Sequence, residues 1–508
     1  MHTTLLLDMV AEAAPDRLAL GPRADGVSFA ELQARARAGA AWLAARPGET
    51  VVFLGLNGPA MAVAVFAAGF IGKPFGPLNY RLTDPDLNRL LARTAPSVAI
   101  VDDDMIARLT PAEGVTVVAR SAFEAAARDP AWRGIEVEAA DPDIGVLLFT
   151  SGTTGEPKVA ILRHRNLTAY VISTVEFLAA EPDEAALVSV PAYHIAGISA
   201  VLTGVYSGRR TVHLPAFTPE AWVEAAVAER ITHAMVVPTM LGRILDVLEA
   251  RGEFLPDLKA LSYGGGRMPQ PVIERALRQL PHVGFVNAYG LTETSSTIAV
   301  LGPDDHREAI ASPDEAVRRR IGSVGRPLPS LEVEIRGPEG KSLAPGQCGE
   351  IYVRGEQVSG EYAHRKVVQD DGWFATNDGG WMDEAGYLFV EGRLDDVIVR
   401  GGENISPGEI EDVIREHPNV ADVAVLGLPD NDWGERIAAA VVTKDGKASR
   451  EALAAFVKAR LRSTKTPEVW TFRQALPYND TGKLLRRQLR AEMAAATSNE
   501  AVHPLKAR

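Results

Sequence analysis

Residues 147–158 open as an apolar run, Leu147-Leu148-Phe149, and continue into Thr150-Ser151-Gly152-Thr153-Thr154-Gly155-Glu156-Pro157-Lys158. Glycines let backbone N–H groups close on an anion, the Ser and Thr hydroxyls add donors, and Lys158 supplies a point charge. These residue types make a phosphate cradle. Gly152 and Gly155 are three residues apart and Lys158 is not directly preceded by glycine, which separates the loop from a Walker A sequence. Further on, Tyr193-His194-Ile195-Ala196-Gly197, Ser262-Tyr263-Gly264-Gly265-Gly266 and Tyr289-Gly290-Leu291-Thr292-Glu293 again set glycines beside aromatic, imidazole, hydroxyl and carboxylate side chains.

Such residues need elements to hold them. From about 50 to 300, short β-rich runs (Val51 to Leu54, Val98 to Val101, Leu187 to Val190, Met235 to Val237) alternate with Ala- and Leu-rich helical segments such as Pro219 to Arg230. That is an α/β pattern, with helices covering both faces of a sheet. Between about 321 and 390 the period becomes two: Leu331, Val333 and Ile335 alternate with Glu332 and Glu334, and after a Gly337-Pro338-Glu339-Gly340 turn Ile351-Tyr352-Val353 closes an antiparallel hairpin. A small β-subdomain is expected there. Beyond Gly392-Arg393-Leu394-Asp395-Asp396 the texture is compact α+β. Ser406-Pro407-Gly408-Glu409 reads as a capping box opening a helix through Glu416, strands follow at Val423 to Leu426 and Ile437 to Thr443, and a helix runs from Arg450 to Arg462.

In order along most of the chain, these strings resemble the motifs of the adenylate-forming superfamily (acyl-CoA synthetases, adenylation domains of peptide synthetases, luciferases), and within it the acyl-CoA synthetases. The resemblance implies a large N-terminal domain, 1–394, of α/β sheets flanked by helices with a β-subdomain at about 321–390. It also implies a hinge to a small mobile α+β C-terminal domain, 395–508. ATP would be bound by Thr150, Ser151, Gly152, Thr153, Thr154, Gly155 and Lys158 on its phosphates, and by Gly264, Gly265, Gly266, Asn287, Tyr289 and Gly290 around adenine. Asp378 and Arg393 would take the ribose, although those two side chains are also able to pair with each other. Thr292 would touch the α-phosphate and Glu293 would hold magnesium. Two departures stand out: Val159 and Asn377 occupy positions where the family usually has glycine.

The same resemblance assigns Lys483, in Asn479-Asp480-Thr481-Gly482-Lys483, as the catalytic cation, and Asp395 as the pivot. Gly401, Gly402 and Glu403 would line the pantetheine tunnel, with Trp433 on the adenine of CoA and Arg81 on a CoA phosphate; for the last two a core Trp and a surface Arg are equally good readings. Lys483, Arg486, Arg487 and Arg490 fall on one helical face, and the three arginines read as a solvated stripe. A carboxylate attacking a triphosphate must overcome repulsion between anions, so metal and lysine have to neutralise charge as it builds on the phosphates.

The acyl pocket would draw on Tyr193, His194, Ile195, Ala196, Ile198, Val236, Val237 and Leu291. Amino-acid-activating relatives have an Asp where His194 stands, because a buried ammonium needs a carboxylate, so these residues favour a neutral hydrophobic acid: fatty, aryl or alicyclic. Three functions compete: a ligase making acyl-CoA, transfer of acyl-adenylate to a carrier protein, and a non-catalytic nucleotide- or acyl-binding relative. Dependence on free CoA separates the first two, and retention of Lys483, Glu293 and Asp378 weighs against the third.

Composition bounds the rest. The 508 residues exceed a single domain of ~150 residues, and 46% hydrophobic with 23% charged residues is an ordinary globular profile. With 53 Lys and Arg against 66 Asp and Glu, the net charge of −13 provides no overall field for nucleic acid. The single Cys348 cannot form an internal disulfide or a thiolate cluster and fits a reducing compartment. The first residues lack a basic stretch before an apolar one and Pro59 to Gly72 falls short of the ~20 residues of a membrane span, so a cytoplasmic protein is expected; the last five residues lack Ser-Lys-Leu, which weighs against a luciferase-type oxygenase. No heptad pattern specifies an oligomer, and a homodimer is left open.

Overall fold

In a computed structural model, the described residues are 1–110, 112–137, 143–150, 158–363, 365–401, 403–430, 432–444, 446–479 and 484–502. The alternating α/β stretch folds into two sheets rather than one. The eight-stranded sheet runs, in spatial order, Arg365–Lys366, Glu361–Tyr362, Lys158–Arg163, Ile144–Thr150, Phe75–Pro77, Thr50–Leu54, Ser97–Val101 and Val115–Ala119. The nine-stranded sheet runs Arg326–Pro327, Ser296–Leu301, Gly284–Leu291, Ala260–Gly264, His233–Val236, Ala185–Val188, Arg210–His213, Leu18–Leu20 and Val27–Ser28. Helices Phe29–Ala44, Pro59–Phe70 and Ile195–Tyr206 pack into one apolar cluster with Phe53 and Leu148 of the first sheet and Leu20 of the second. Pro59–Phe70 is buried on every side, as its uniformly apolar sequence requires. No helix among the described residues is long and apolar enough to cross a membrane.

In the nine-stranded sheet, Ala185–Val188, His233–Val236, Ala260–Gly264 and Gly284–Leu291 are mutually parallel neighbours. Their C-terminal ends therefore open along one edge, the place where α/β sheets present loops to ligands.

The predicted hairpin pairs Glu332–Arg336 with Gly349–Arg354, and Phe374–Met382 and Leu388–Arg393 complete a four-stranded antiparallel sheet. Within the stretch read as one β-subdomain, the chain leaves this sheet twice. Arg326–Pro327 joins the nine-stranded sheet, while Glu361–Tyr362 and Arg365–Lys366 extend the eight-stranded one. Period-two patterning identifies a strand and its buried face and leaves its partner unspecified.

The last sheet contains Ile398–Arg400, Glu403–Ile405, Val420–Asp430, Gly434–Thr443 and Val469–Arg473. Alternation along Val420–Asp430 sends Val423 and Val425 to a cluster with Ile410, Ile414 and Leu453, and Ala424 and Leu426 to another with Leu489 and Met493. Among the described residues, no apolar cluster takes members from both sides of Asp395.

Three local expectations are corrected. Ser406 precedes helix Pro407–Arg415 without a side-chain cap bond; its hydroxyl donates to the Glu391 carbonyl at 3.1 Å, and Glu409 pairs with Lys465 at 2.5 Å. Partners distant in sequence displace the local box. The arginine stripe is solvated only in part: Arg487 is exposed, but Arg486 donates to the Val425 carbonyl and to Glu411 at 2.5 and 2.6 Å, and the half-exposed Arg490 pairs with Glu435 at 2.5 Å. The helix expected to reach Arg462 ends as Arg450–Lys458.

Candidate active site

The parallel strand ends supply most of the expected residues. Gly264 ends its strand against the neighbouring backbone, where a Cβ would lie 2.3 Å from the Ala288 carbonyl oxygen. At Gly290 the next strand passes still closer, placing a Cβ 1.7 Å from the Ser296 carbonyl oxygen. Only glycine permits either approach. Gly265 has φ +78°, and its absent Cβ would meet Val237 Cγ1 at 3.7 Å, so the glycine turn lies against the residue that follows strand His233–Val236. Gly266 continues it toward Pro238. Asn287 gives its amide to the Ser323 carbonyl at 3.1 Å.

One network centred on a buried carboxylate joins three residues taken from three motifs. The Tyr289 hydroxyl donates to Asp378 Oδ2 at 2.6 Å, and Arg393 Nε reaches Asp378 Oδ1 at 3.0 Å. Arg393 also donates to the Thr376 carbonyl at 2.8 Å. Asp378 and Arg393 are register partners on adjacent strands, and Asp378 is 5% exposed. Burial, then the Asp378 charge, pushes the Tyr289 phenol well above its ordinary range, so it remains a donor.

Thr292 and Glu293 follow in a single turn, Thr292–Thr294. The Glu293 carboxylate accepts from the Tyr362 hydroxyl at Oε1, while Ser359 and Gly360 N–H groups donate to its backbone carbonyl at 2.8 and 3.2 Å. Tyr362 pairs with Ala160, so Lys158–Arg163 lies alongside, and Lys158 Nζ stands 5.6 Å from the centroid of the Tyr362 ring. Burial, then Glu293, raises the Tyr362 phenol as well. Sequence reasoning missed Tyr362, 69 residues from Glu293 and marked by no local pattern. Thr150 and Lys158 are register partners, which pins both ends of the phosphate loop at a strand pair. Val159 continues that pair opposite Phe149. The turn fits magnesium: a hard carboxylate oxygen is presented in fixed orientation, and one carboxylate suits a cation that otherwise takes water and substrate phosphates.

Around the expected acyl wall, Tyr193 is buried, lies against the His194 ring at 4.5 Å with the planes tilted by 52°, and meets Tyr80 edge-on at 5.6 Å. His194 is the N-cap residue of Ile195–Tyr206, and Ile195 is half-buried against the core between the sheets. Val237 is 5% exposed and Leu291 half-buried, whereas Val236 and Ile198 have no exposed surface and belong to the packed interior behind the wall. Arg81 lies over Tyr80 at 5.4 Å.

On the C-terminal sheet, Gly401 donates its N–H to the Trp433 carbonyl at 2.8 Å, and Arg400 lies 5.1 Å from the indole. Trp433 is 54% exposed. Glu403 is paired with Arg462 at 2.7 Å. Asp395 accepts from the Asn377 side-chain amide at 2.9 Å. Asn377 has φ +59°, a left-handed conformation that asparagine tolerates better than most residues, so the position usually filled by glycine keeps its backbone and gains a partner. Ser151, Gly152, Thr153, Thr154, Gly155, Gly402 and Lys483 lie outside the described residues, as do the side chains of Thr150 and Asn404.

Residues 7–363 match the AMP-binding enzyme family, and residues 409–483 match the AMP-binding enzyme C-terminal domain. A feruloyl-CoA synthase of an Amycolatopsis species is 36% identical over 500 residues, covering 94% of this chain and 96% of the relative. An indoleacetate–CoA ligase of Aromatoleum aromaticum is 33% identical over 472 residues, 89% of each chain. The solved structure of o-succinylbenzoate CoA synthetase from Bacillus subtilis, in complex with the acyl-adenylate intermediate OSB-AMP, superposes with a TM-score of 0.82 at 30% identity over 96% of this chain and 97% of that one.

Proposed function

The chain belongs to the AMP-binding enzyme family, and from that premise we propose that it is an AMP-forming acid–thiol ligase that activates a hydrophobic carboxylic acid with ATP and passes the acyl group to coenzyme A. The observation that carries the reading is the double anchoring of one strand end. Tyr289 is tied to Asp378 and Arg393, suited to a nucleoside, and four residues on Glu293 is tied to Tyr362 beside Lys158, suited to phosphates and magnesium.

In the first step a substrate carboxylate oxygen attacks the α-phosphorus, the bond to the β-phosphate breaks, and pyrophosphate leaves. Asp378 and Arg393 fix the ribose, Tyr289 and the 264–266 turn hold adenine, and Thr292 orients the α-phosphate. Lys158 and the loop before it neutralise the departing phosphates, and Lys483 bridges acid and nucleotide. Glu293 would hold magnesium, which when bound would supply charge neutralisation on the phosphates. In the second step a thiolate attacks the acyl carbon and AMP departs. The face bearing Gly401, Gly402, Glu403 and Trp433 would replace Lys483 by rotation of 395–508 about Asp395, against the fixed body 1–394.

The His194 position carries no carboxylate for an ammonium, and Tyr193, Val237 and Leu291 are apolar or aromatic, which supports a neutral tail; the ferulate- and indoleacetate-activating relatives make aryl acids the first to test. Trp433, exposed beside Gly401, favours free CoA over a carrier protein. A cytoplasmic enzyme, whether monomer or homodimer, completes the reading. The test is a panel of aryl, fatty and alicyclic acids with ATP and Mg2+, following pyrophosphate with and without CoA and identifying products by mass. Pyrophosphate release with at least one acid and a CoA thioester is expected; release with no acid in the panel rejects the proposal, and acyl-adenylate that never reaches CoA redirects it to a carrier protein.

A further inference from the structure

We infer that Tyr362, on the strap from Glu356 to Tyr362, is the positioning residue for the Glu293 carboxylate and sets how tightly the site takes ATP in the presence of magnesium. The inference rests on Glu293 being the magnesium ligand.

The turn that carries Glu293 is closed by the Thr294 hydroxyl, which accepts from the Leu291 N–H at 3.1 Å and lies within hydrogen-bond reach of the Leu291 and Ser296 carbonyls, and it is braced from outside as well. Ser295 and Ser296 follow it with φ of +57° and +128°, conformations unfavourable for side-chain-bearing residues. Such residues persist where the surroundings over-determine them. Here the surroundings are the strap. Gln357, 1% exposed, donates its amide to the Thr294 and Thr297 carbonyls at 3.0 and 2.8 Å, and the buried Ser295 hydroxyl donates back to the Gln357 carbonyl at 2.8 Å. Ser359 and Gly360 hold the Glu293 carbonyl from their N–H groups. The strap is itself fixed to the eight-stranded sheet and its helix: Asn166 donates to the Glu356 carbonyl at 2.7 Å, and the Ser359 hydroxyl donates to the Ile161 carbonyl.

Backbone bonds place the Glu293 Cα and leave its side chain free to turn. The Tyr362 hydroxyl removes that freedom by engaging Oε1, so that Oε2 is presented in one direction. Oriented carboxylate ligands lose about 10–100-fold in metal affinity when the outer hydrogen bond is removed. The same ring faces Lys158, so one side chain aligns the anion that would meet the metal with the cation that would meet the phosphates.

Calorimetric titration of the full-length chain with ATP, once in excess Mg2+ and once in EDTA, tests this for the parent, Tyr362→Phe, Glu293→Gln and the double variant. Phenylalanine keeps the ring below Lys158 and removes only the hydroxyl. Tyr362→Phe is expected to weaken ATP binding about 10–100-fold in Mg2+. In EDTA, and when added to Glu293→Gln, it should change binding by less than about twofold, the scatter of independent sites. Equal weakening in both buffers, or a full additional loss in the double variant, overturns the assignment. Tyr362→Leu, run alongside, supplies the same comparison should the Phe variant not fold, and it must lose at least as much in Mg2+. A parent that binds ATP no better with Mg2+ than in EDTA fails the magnesium reading of Glu293 itself. A parent that gains from Mg2+ while Tyr362→Phe matches it fails only the role of Tyr362.

Discussion

Asp378 is held by the Tyr289 hydroxyl, the Arg393 guanidinium and, at its own N–H, the Thr376 hydroxyl. A carboxylate fixed this way has little rearranging to do when two vicinal hydroxyls arrive, and its contacts to a ribose would be equally strong in the ground and transition states. Interactions of that kind govern KM rather than kcat. Asp378→Asn is therefore expected to raise KM for ATP about 10–100-fold, the range of one to two charge-assisted hydrogen bonds, with a much smaller change in kcat. Initial rates of pyrophosphate release over an ATP series decide it; a fall in kcat at unchanged KM would move Asp378 out of nucleotide binding. Asp378 and Arg393 were both legible in the sequence, as were Tyr289 and Glu293, because each lies in a compact string whose spacing is local. Tyr362 was not: its role arises from a strand pairing with Ala160 that brings distant segments together.

At the level of elements, strands and buried helices were readable from period and composition, whereas caps and sheet membership were not. Ser406 has the right neighbours for a capping box, yet the Glu391 carbonyl lies within reach and takes its hydroxyl. Arg486 and Arg490 occupy a helix whose sequence looks solvent-facing, and Glu411 and Glu435 come to them from other elements. The turn Leu394–Asp396 illustrates the reverse case, in which a departure from the usual residue is informative. Asn377 bonds Asp395 from the neighbouring strand, an exposed hydrogen bond of about 0.5–1.5 kcal/mol that restrains the turn. Asn377→Gly keeps the left-handed backbone accessible and removes the restraint. Limited proteolysis of the 394–402 segment should accelerate about two- to tenfold, since cleavage follows the population of the opened form. An unchanged cleavage rate would mean that the bond does not restrain the turn.

For the molecule as a whole, stability should depend on pH through groups that no motif identifies. His213 ends a strand of the nine-stranded sheet with neither ring nitrogen hydrogen-bonded. Burial, and secondarily Arg120, pushes its pKa from 6.5 down to about 4. Between those values the unfolded chain binds a proton that the folded chain refuses, so stability is intact above about pH 6.5 and is lost as pH falls toward 4, by at most about 3 kcal/mol. Urea denaturation at pH 7.5 and 5 should give a lower midpoint at pH 5, and His213→Leu, which removes the titrating ring, should narrow the gap. A gap of equal size in the variant would assign the acid sensitivity elsewhere.

The C-terminal sheet has an apolar layer on each face, both made, among the described residues, only from residues beyond Asp395, and the contacts that cross to the larger body include Arg267 with Asp412, Ser406 with Glu391 and Asn377 with Asp395. All three are polar, and water can replace each of them. A swing of the smaller body would thus trade partners at its skin while its oily interior stays dry, and under the proposed mechanism this would let one chain offer a pair of reaction chambers in succession without partly unfolding to pass from one to the other.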